Sequence, residues 1–158
     1  MDFRVGLGHD SHAFCEGKKC MLGGVLFPGE KGFKANSDGD VVLHAVCNAL
    51  SSAVGGRSLS SYADEMCGRG ITDSREYAKV ALGKVTDAGY SVSSVSVSIE
   101  CAKPRIEPAF EKMQASLSKI LGIPAGRIGI TATTGETLSA FGKGEGVMAY
   151  AVVLVTKN

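Results

Sequence analysis

A chain of 158 residues favours a single domain over residues 1–158 and is long enough to bury a sizeable core. Hydrophobic residues make up 44% of the chain and charged residues 21%, proportions that exclude a disordered protein. The net charge is +1 and no apolar run reaches the roughly 18 residues of a membrane-spanning helix, so neither nucleic acid nor a membrane is an expected partner.

The first predicted elements are two strands and a helix. Apolar residues alternate with small or polar ones over 3–7, which predicts an opening strand. An apolar run with a Gly-Gly pair over 21–27 predicts a strand or hairpin arm with a bulge. The unbroken apolar stretch 41–54 predicts a helix that begins near Asp38, a good N-cap residue. Residues 55–72 are polar and are expected to be irregular.

Two helices and three strands are predicted in the rest of the chain. Helical patterns cover 74–88 and 108–121, and each is followed by a glycine stop. Valine and serine alternate over 94–101 as in a half-buried strand, and 128–134 and 147–155 are also predicted strands. The order predicts an α/β fold, an α+β sandwich with a single four-stranded mixed sheet and helices packed on one face.

Cysteine usage indicates a reducing compartment. The five cysteines are odd in number, scattered, and form no CxxC pair, which argues against a disulfide framework. The first residues lack the charged and apolar regions of a secretory leader. We expect a cytoplasmic protein, with a removed organellar leader left open as the alternative.

One candidate metal site combines Asp10, His12 and His44. If residues 10–12 are extended, the first two side chains point to the same side, about 6.5–7 Å apart along the strand. His44 lies between Asp40 and Asn48 in a polar stripe on an otherwise apolar helix. Two imidazoles and a carboxylate form a recognised catalytic zinc set with an open fourth position.

The surroundings of this site are also predicted. Asp40 or Asp38 is expected to orient an imidazole from the outer shell. His9 faces the other way in a strand and is not an expected ligand. The alternative interpretation, in which all these residues are ordinary N-cap and core polar groups, stays open.

Two other segments are candidate ligand contacts. Residues 132–136 follow a strand and contain hydroxyls, a glycine and Glu136, which suits an anion or Mg²⁺, although a plain turn is the alternative. Residues 101–105 bring two cations to a strand end, for a phosphate contact or as solvated surface charge. The glycine-rich run 141–146 lacks P-loop spacing and is predicted to form a tight hairpin at a subunit interface.

Six stretches together resemble the 2-C-methyl-D-erythritol 2,4-cyclodiphosphate synthases of the non-mevalonate isoprenoid pathway. They are DSHAF at 10–14, LGGV at 22–25, NSDGDVVLHA at 36–45, TDS at 72–74, ATTGE at 132–136 and GKGEG at 142–146. The resemblance implies a homotrimer with active sites between subunits, and it implies Zn²⁺ with a second cation, Mg²⁺ or Mn²⁺. It also suggests an isoprenoid diphosphate at the trimer axis, near Lys143 and Glu145.

The implied reaction converts 4-diphosphocytidyl-2-C-methyl-D-erythritol 2-phosphate to the cyclic diphosphate and releases CMP. The 2-phosphate of the substrate attacks its own β-phosphorus, so the protein has to supply positioning and charge neutralisation. Two rival functions stay open. One is a zinc-dependent phosphohydrolase with metal-bound water as nucleophile, and the other is a non-catalytic trimeric module with structural zinc.

The resemblance also implies roles for individual residues. Asp10, His12 and His44 are the implied zinc ligands, Glu136 the implied ligand of the second cation, and Asn36 and Thr134 the implied catalytic pair that stabilises the transition state. The implied substrate contacts are Asp10, His12, Asn36, Ser37, Cys101, Ala102, Lys103, Pro104, Arg105, Ala132, Thr133, Thr134, Gly135 and Lys143.

The chain departs from the family pattern at several positions. Asn36 stands where His is frequent, and its amide can donate to an oxyanion but has no titratable proton. Thr137 replaces a frequent Lys and Lys143 a common Arg. The segment 56–65 replaces the familiar erythritol-contacting loop, so no role is assigned to its residues.

Overall fold

The sequence folds into one mixed sheet that is covered on one side by helices. The computed structural model describes residues 2–157. Its strands are β1 (Phe3–Leu22), β2 (Val25–Phe33), β3 (Tyr90–Glu100), β4 (Ile128–Thr133) and β5 (Gly146–Lys157). Its α-helices are α1 (Val41–Ala53), α2 (Ser60–Gly68), α3 (Ser74–Asp87) and α4 (Phe110–Leu121), with 3₁₀ turns at Glu107–Ala109, Ala125–Arg127 and Gly135–Thr137.

The strand order is β2-β1-β5-β3-β4, so the sheet has five strands instead of the predicted four. β3 and β4 run parallel, whereas the other neighbouring pairs are antiparallel. The α/β class and the mixed sheet are therefore confirmed, and the strand number is wrong. α1 packs on β1 and β5, α3 on β3, and α4 on β4.

The β1–β2 hairpin differs most from the prediction, because β1 is much longer than expected and is followed by the separate strand β2. The first half of β1 pairs with β5 and its second half with β2, so one strand covers both 3–7 and the start of 21–27. The rest of 21–27 contains the tight turn into β2, where Gly23 and Gly24 have φ values of 61° and 75°. The middle of β1 is polar and charged. Hydrogen-bonded pairing with the neighbouring strands holds this stretch in the sheet, so it does not need a buried apolar face.

Helix α1 lies directly on β1 at two glycines. A Cβ atom at Gly6 would lie 1.9 Å from the carbonyl oxygen of Ala49, and one at Gly8 would lie 2.3 Å from that of Ala45. Only glycine allows backbones to approach this closely. The close contact brings the His44 side chain within reach of the strand.

Asp40 is the N-cap residue of α1, and its carboxylate accepts a hydrogen bond from the Leu43 N–H at 3.0 Å. The predicted helix start near Asp38 is therefore early. The same carboxylate accepts the N–H groups of Gly23 at 2.8 Å and Gly24 at 2.6 Å. One side chain thus ties the start of α1 to the β1–β2 turn.

Helix α2 lies within the segment 55–72 that was predicted to be irregular. Ala63 is its buried residue, and the rest of the helix is exposed or half-buried. Because the helix buries so little, its sequence has no apolar periodicity from which it could be predicted.

The remaining predicted elements are confirmed with shifted ends. Helices predicted at 74–88 and 108–121 are α3 and α4, and the last two predicted strands are β4 and β5. The largest shift is in β3, which begins at Tyr90 instead of residue 94, because its serine-rich start pairs with β5.

The sheet face opposite the helices exposes apolar side chains. On β1, Phe3, Val5 and Leu7 are 59%, 60% and 59% exposed, and on β5 Tyr150 and Val152 are 44% and 41% exposed. The register places Leu7 opposite Val152, so these five residues form one patch, the open-face strip. A contiguous apolar patch of this kind marks an interaction surface.

All five cysteines are free, as their scattered positions predicted. Burial raises the pKa of Cys20 and Cys47 to about 12, which keeps both as unreactive thiols at neutral pH. Within residues 2–157, no helix is long and apolar enough to span a membrane.

Candidate active site

Asp10, His12 and His44 converge at one end of the contact between β1 and α1. Asp10 Oδ2 lies 2.8 Å from His44 Nδ1 and 3.1 Å from His12 Nε2, and these two ring nitrogens are 3.3 Å apart. The alternation of β1 points the first two side chains the same way, as predicted, and α1 supplies the third. The three form a group whose ligand atoms lie within 4.8 Å of one another, close enough to share a metal ion.

The charge of this group suits a divalent cation. Burial by itself would raise the pKa of Asp10, but hydrogen bonds from His12 and His44 outweigh it and hold that pKa well below its usual range. Asp10 is therefore a carboxylate at neutral pH. One carboxylate oxygen and two imidazole nitrogens form a donor set that zinc takes in catalytic sites, where a fourth position stays open to substrate.

Of the two carboxylates predicted to orient an imidazole, only Asp38 is connected to His44. Asp40 makes its contacts with backbone N–H groups and serves the helix start, so its predicted role beside the imidazole is wrong. Asp38 is connected to His44 through Ser74. Ser74 Oγ lies 2.8 Å from His44 Nε2 and donates a short hydrogen bond to the Asp38 carboxylate. Ser74 has no predicted role, although the TDS stretch contains it.

The polar stripe on α1 serves three separate purposes. Asp40 caps the helix and His44 belongs to the metal-ligand group. Asn48 accepts a hydrogen bond from the Leu59 N–H at 2.8 Å and donates to the His9 carbonyl at 3.3 Å, which fixes the start of α2. The His9 ring lies on the other face of the sheet, 5.4 Å from the Tyr150 ring, in keeping with its predicted exclusion from the ligand group.

A cleft of about 620 Å³ opens in front of the metal-ligand group. Asn36 and Ser37, two of the predicted substrate contacts, lie on its wall together with the three ligand residues. Part of its lining comes from α2 and the residues before it, most of them in the segment to which no role was assigned: Ser58, Leu59, Ser60, Ala63, Asp64 and Cys67. Positions 60, 64 and 67 share one face of a helix, a spacing that could have identified this part of the lining had α2 been predicted.

Most of the other predicted substrate contacts line a second cleft of about 160 Å³, although Lys103, Gly135 and Lys143 do not. Cys101, Ala102, Pro104 and Arg105 line it from one side and Ala132–Thr134 from the other. A hydrogen bond of 3.0 Å from the Cys101 N–H to the Thr133 carbonyl joins the two segments. Arg105 and Thr134 are exposed, so this cleft offers one cation and a hydroxyl to solvent, and the neighbouring Lys103 is exposed as well.

Glu136 lies apart from the Asp10–His12–His44 group, on the exposed 3₁₀ turn Gly135–Thr137. Glu136 and Thr137 have φ values of 46° and 64°, a left-handed conformation that costs non-glycine residues roughly 1–3 kcal/mol each. Such strain is concentrated at ligand and switch sites. Gly135, which begins the turn, has a φ of 66°, a left-handed conformation that favours glycine.

Lys143 is exposed on the turn that precedes β5, and its N–H donates to the Ser139 carbonyl at 3.0 Å. The carboxylate of Glu100 accepts a short hydrogen bond from the Ser139 hydroxyl, which holds this turn against the end of β3. Within one chain, the structure therefore separates the predicted site into the metal-ligand cleft and a second group containing Glu136 and Lys143.

Comparisons with known proteins agree with the resemblance seen in the sequence. The YgbB family profile matches residues 3–156. The 2-C-methyl-D-erythritol 2,4-cyclodiphosphate synthase of Chlamydia caviae is 45% identical over 159 aligned positions, which cover 98% of this chain and 90% of the relative. That of Chlamydia felis is also 45% identical, covering 97% of this chain and 89% of the relative.

Solved structures show the same fold. A 2C-methyl-D-erythritol-2,4-cyclodiphosphate synthase with CDP bound superposes with a TM-score of 0.88 at 33% identity, covering 97% of this chain and 100% of the other. The bifunctional IspDF from Campylobacter jejuni superposes with a TM-score of 0.93 at 28% identity, and this chain spans 43% of its length. The chain therefore belongs to the YgbB family, the 2-C-methyl-D-erythritol 2,4-cyclodiphosphate synthases.

Proposed function

We propose that this protein catalyses the cyclisation of 4-diphosphocytidyl-2-C-methyl-D-erythritol 2-phosphate with release of CMP. An oxygen of the 2-phosphate forms a bond to the β-phosphorus, and the bond from that phosphorus to the bridging oxygen breaks, so that CMP leaves with this oxygen. The observation that carries the proposal is the Asp10–His12–His44 group at the wall of the larger cleft, with Asn36 and Ser37 beside it.

The donor set supports zinc as the ion held by Asp10, His12 and His44. When bound there, zinc supplies a Lewis acid that polarises a phosphate oxygen of the substrate. Asp10 and His12 keep 27% and 21% of their side-chain surface exposed, so the group faces the cleft instead of being enclosed. An open set of three ligands is typical of catalytic zinc, whereas structural zinc has four. This favours an enzyme over the non-catalytic module.

Asn36 and Thr134 are the proposed groups that stabilise developing charge. Asn36 lies on a loop held by the Lys18 ammonium, which donates to the carbonyls of Ala35 and, at 3.4 Å, Ser37. The loop is thus fixed before substrate arrives, and a preorganised amide donor needs no rearrangement at the moment of reaction. Thr134 Oγ1 accepts the Glu136 N–H at 3.3 Å, so the hydroxyl proton is free to donate elsewhere.

The separation of the two clefts supports a site built from two copies of the chain. Asp10, Ala149, Ile99 and Ala132 form one row across β1, β5, β3 and β4. Three strand spacings place the ends of this row about 14 Å apart. Ala149 and Ile99, between them, are fully buried, so no open path on that side joins the clefts of one chain.

We therefore propose the homotrimer that the resemblance implies, with each active site between two subunits. The open-face strip supports this assembly, because association would cover its apolar side chains. In this arrangement Glu136, with Mg²⁺ or Mn²⁺ as the second cation, comes from the chain that supplies the smaller cleft. The isoprenoid diphosphate at the trimer axis and the cytoplasmic location stay predictions.

The direct test is incubation with the cytidyl substrate, zinc and Mg²⁺, followed by phosphorus NMR. The proposal expects a cyclic diphosphate and CMP in equal amounts. Release of inorganic phosphate without a cyclic product would contradict it and support the phosphohydrolase. Removal of metal with a chelator is expected to leave a folded, inactive protein, whereas unfolding would indicate structural zinc.

A further inference from the structure

Both ring nitrogens of His44 have close partners. Nδ1 faces Asp10 Oδ2 at 2.8 Å, on the side of the metal-ligand group. Nε2 faces the opposite way and lies 2.8 Å from the hydroxyl oxygen of Ser74, the first residue of α3. Ser74 is fully buried, so water does not compete for this contact.

The number of available protons decides which atom donates and which accepts in these contacts. A serine hydroxyl has one proton, and an ionised carboxylate can only accept. The Ser74 hydroxyl donates its proton to Asp38, so its oxygen can only accept from His44. Nε2 must then carry a ring proton. A neutral imidazole has one ring proton, so a metal-bound His44 would direct its Nδ1 lone pair at the cation.

Asp38 is itself held in place by the backbone. Its Oδ2 accepts the Ser74 N–H at 3.0 Å and its Oδ1 the Asp40 N–H at 3.1 Å. Its own N–H donates to the Thr72 carbonyl at 2.9 Å. The carboxylate therefore has a fixed position between the loop before α1 and the start of α3.

We propose that Asp38 and Ser74 are positioning residues that act together, as a hydrogen-bonded relay, to fix the tautomer and orientation of His44 for metal binding through Nδ1. The inference rests on the proposed function only in taking Asp10, His12 and His44 as zinc ligands. The other hydroxyl near Nε2, that of Ser37, is 3.4 Å away and is therefore a poorer partner than that of Ser74 at 2.8 Å.

The test measures zinc affinity of the metal-stripped, full-length protein by competition with a chelator, with zinc alone and no substrate. Ser74→Ala and Asp38→Ala are each expected to weaken binding, Ser74→Ala by about 10–100-fold, the range typical of outer-shell partners. Because the two residues form one relay, the double variant should bind no more weakly than Ser74→Ala. Asp73→Ala is the matched control, since it removes the N-cap of the same helix but not the relay.

A spectroscopic signature separates positioning from general loosening of α3. In the zinc-loaded wild type, imidazole NMR should show a His44 Nε2 proton that exchanges slowly with water, and this protection should be lost in Ser74→Ala and kept in Asp73→Ala. Wild-type zinc affinity in Ser74→Ala, additive losses in the double variant, or an equal loss in Asp73→Ala would each overturn the relay. A wild type that binds zinc but forms no cyclic product would overturn the proposed function alone.

Discussion

Replacing Asp40 should destabilise the fold while leaving the metal-ligand group able to bind zinc. The carboxylate accepts three backbone N–H groups, from Gly23, Gly24 and Leu43. The contacts with Gly23 and Leu43 are buried, whereas that with Gly24 is partly accessible to water. An unsatisfied buried donor costs roughly 1–3 kcal/mol, so Asp40→Ala should lower the free energy of unfolding by about 2–6 kcal/mol.

Asp40→Asn is a milder substitution at the same position. Its carbonyl oxygen can take the place of Oδ1 and still accept from Gly23 and Leu43, which leaves the Gly24 N–H facing the amide nitrogen. We expect a loss of about 1–2 kcal/mol for this variant. Urea unfolding of all three proteins, each saturated with zinc and then stripped of it, gives both stability and metal binding.

The expected pattern is a large loss of stability with little change in the zinc affinity of the protein that remains folded, because the Asp40 carboxylate bonds to backbone N–H groups and not to the His44 ring. A loss below about 1 kcal/mol in Asp40→Ala would refute the hydrogen-bond argument. A zinc affinity that falls as far as in Ser74→Ala would show that Asp40, not Asp38, supports the imidazole.

Three further predictions concern the site, the open face and the thiols. His44→Ala should abolish zinc binding and cyclisation while circular dichroism stays that of the wild type, and normal activity would remove the zinc assignment. Leu7→Lys should fold, because this side chain is 59% exposed, yet light scattering should show monomers in place of trimers, and an intact active trimer would contradict the interface. Burial raises the pKa of Cys20 and Cys47 from 9.0 to about 12, so the folded chain keeps protons that the unfolded chain loses. Stability should therefore fall as pH rises from about 9 towards 12, less steeply in Cys47→Ala, and an equal slope in that variant would contradict the assignment.

Residues with a fixed chemical preference made the Asp10–His12–His44 group predictable from the sequence. Asp10 and His12 alternate on a strand, and His44 is a polar residue on a helix that is otherwise apolar. A buried polar residue has to find partners, so this pattern indicates a site from the sequence alone.

The features that the sequence did not predict depend on tertiary contacts. Asp38 and Asp40 are both carboxylates near the start of α1, and only the position of the Gly23–Gly24 turn decides which one caps the helix. Ser74 acquires its place beside His44 from the packing of α3 on α1. Helix α2 buries little, and β2 depends on pairing with β1, so neither leaves a periodic pattern in the sequence.

The central claim is that the metal-ligand cleft of one subunit works with the smaller cleft of another. Subunit mixing tests it most directly, with His44→Ala and Thr134→Ala chains that are each inactive alone. After joint unfolding and refolding at equal amounts, random assembly should restore about a quarter of wild-type cyclic diphosphate formation, since half the chains supply each intact part. A mixture as inactive as its components, despite confirmed mixed trimers, would place both parts in one chain and contradict the account.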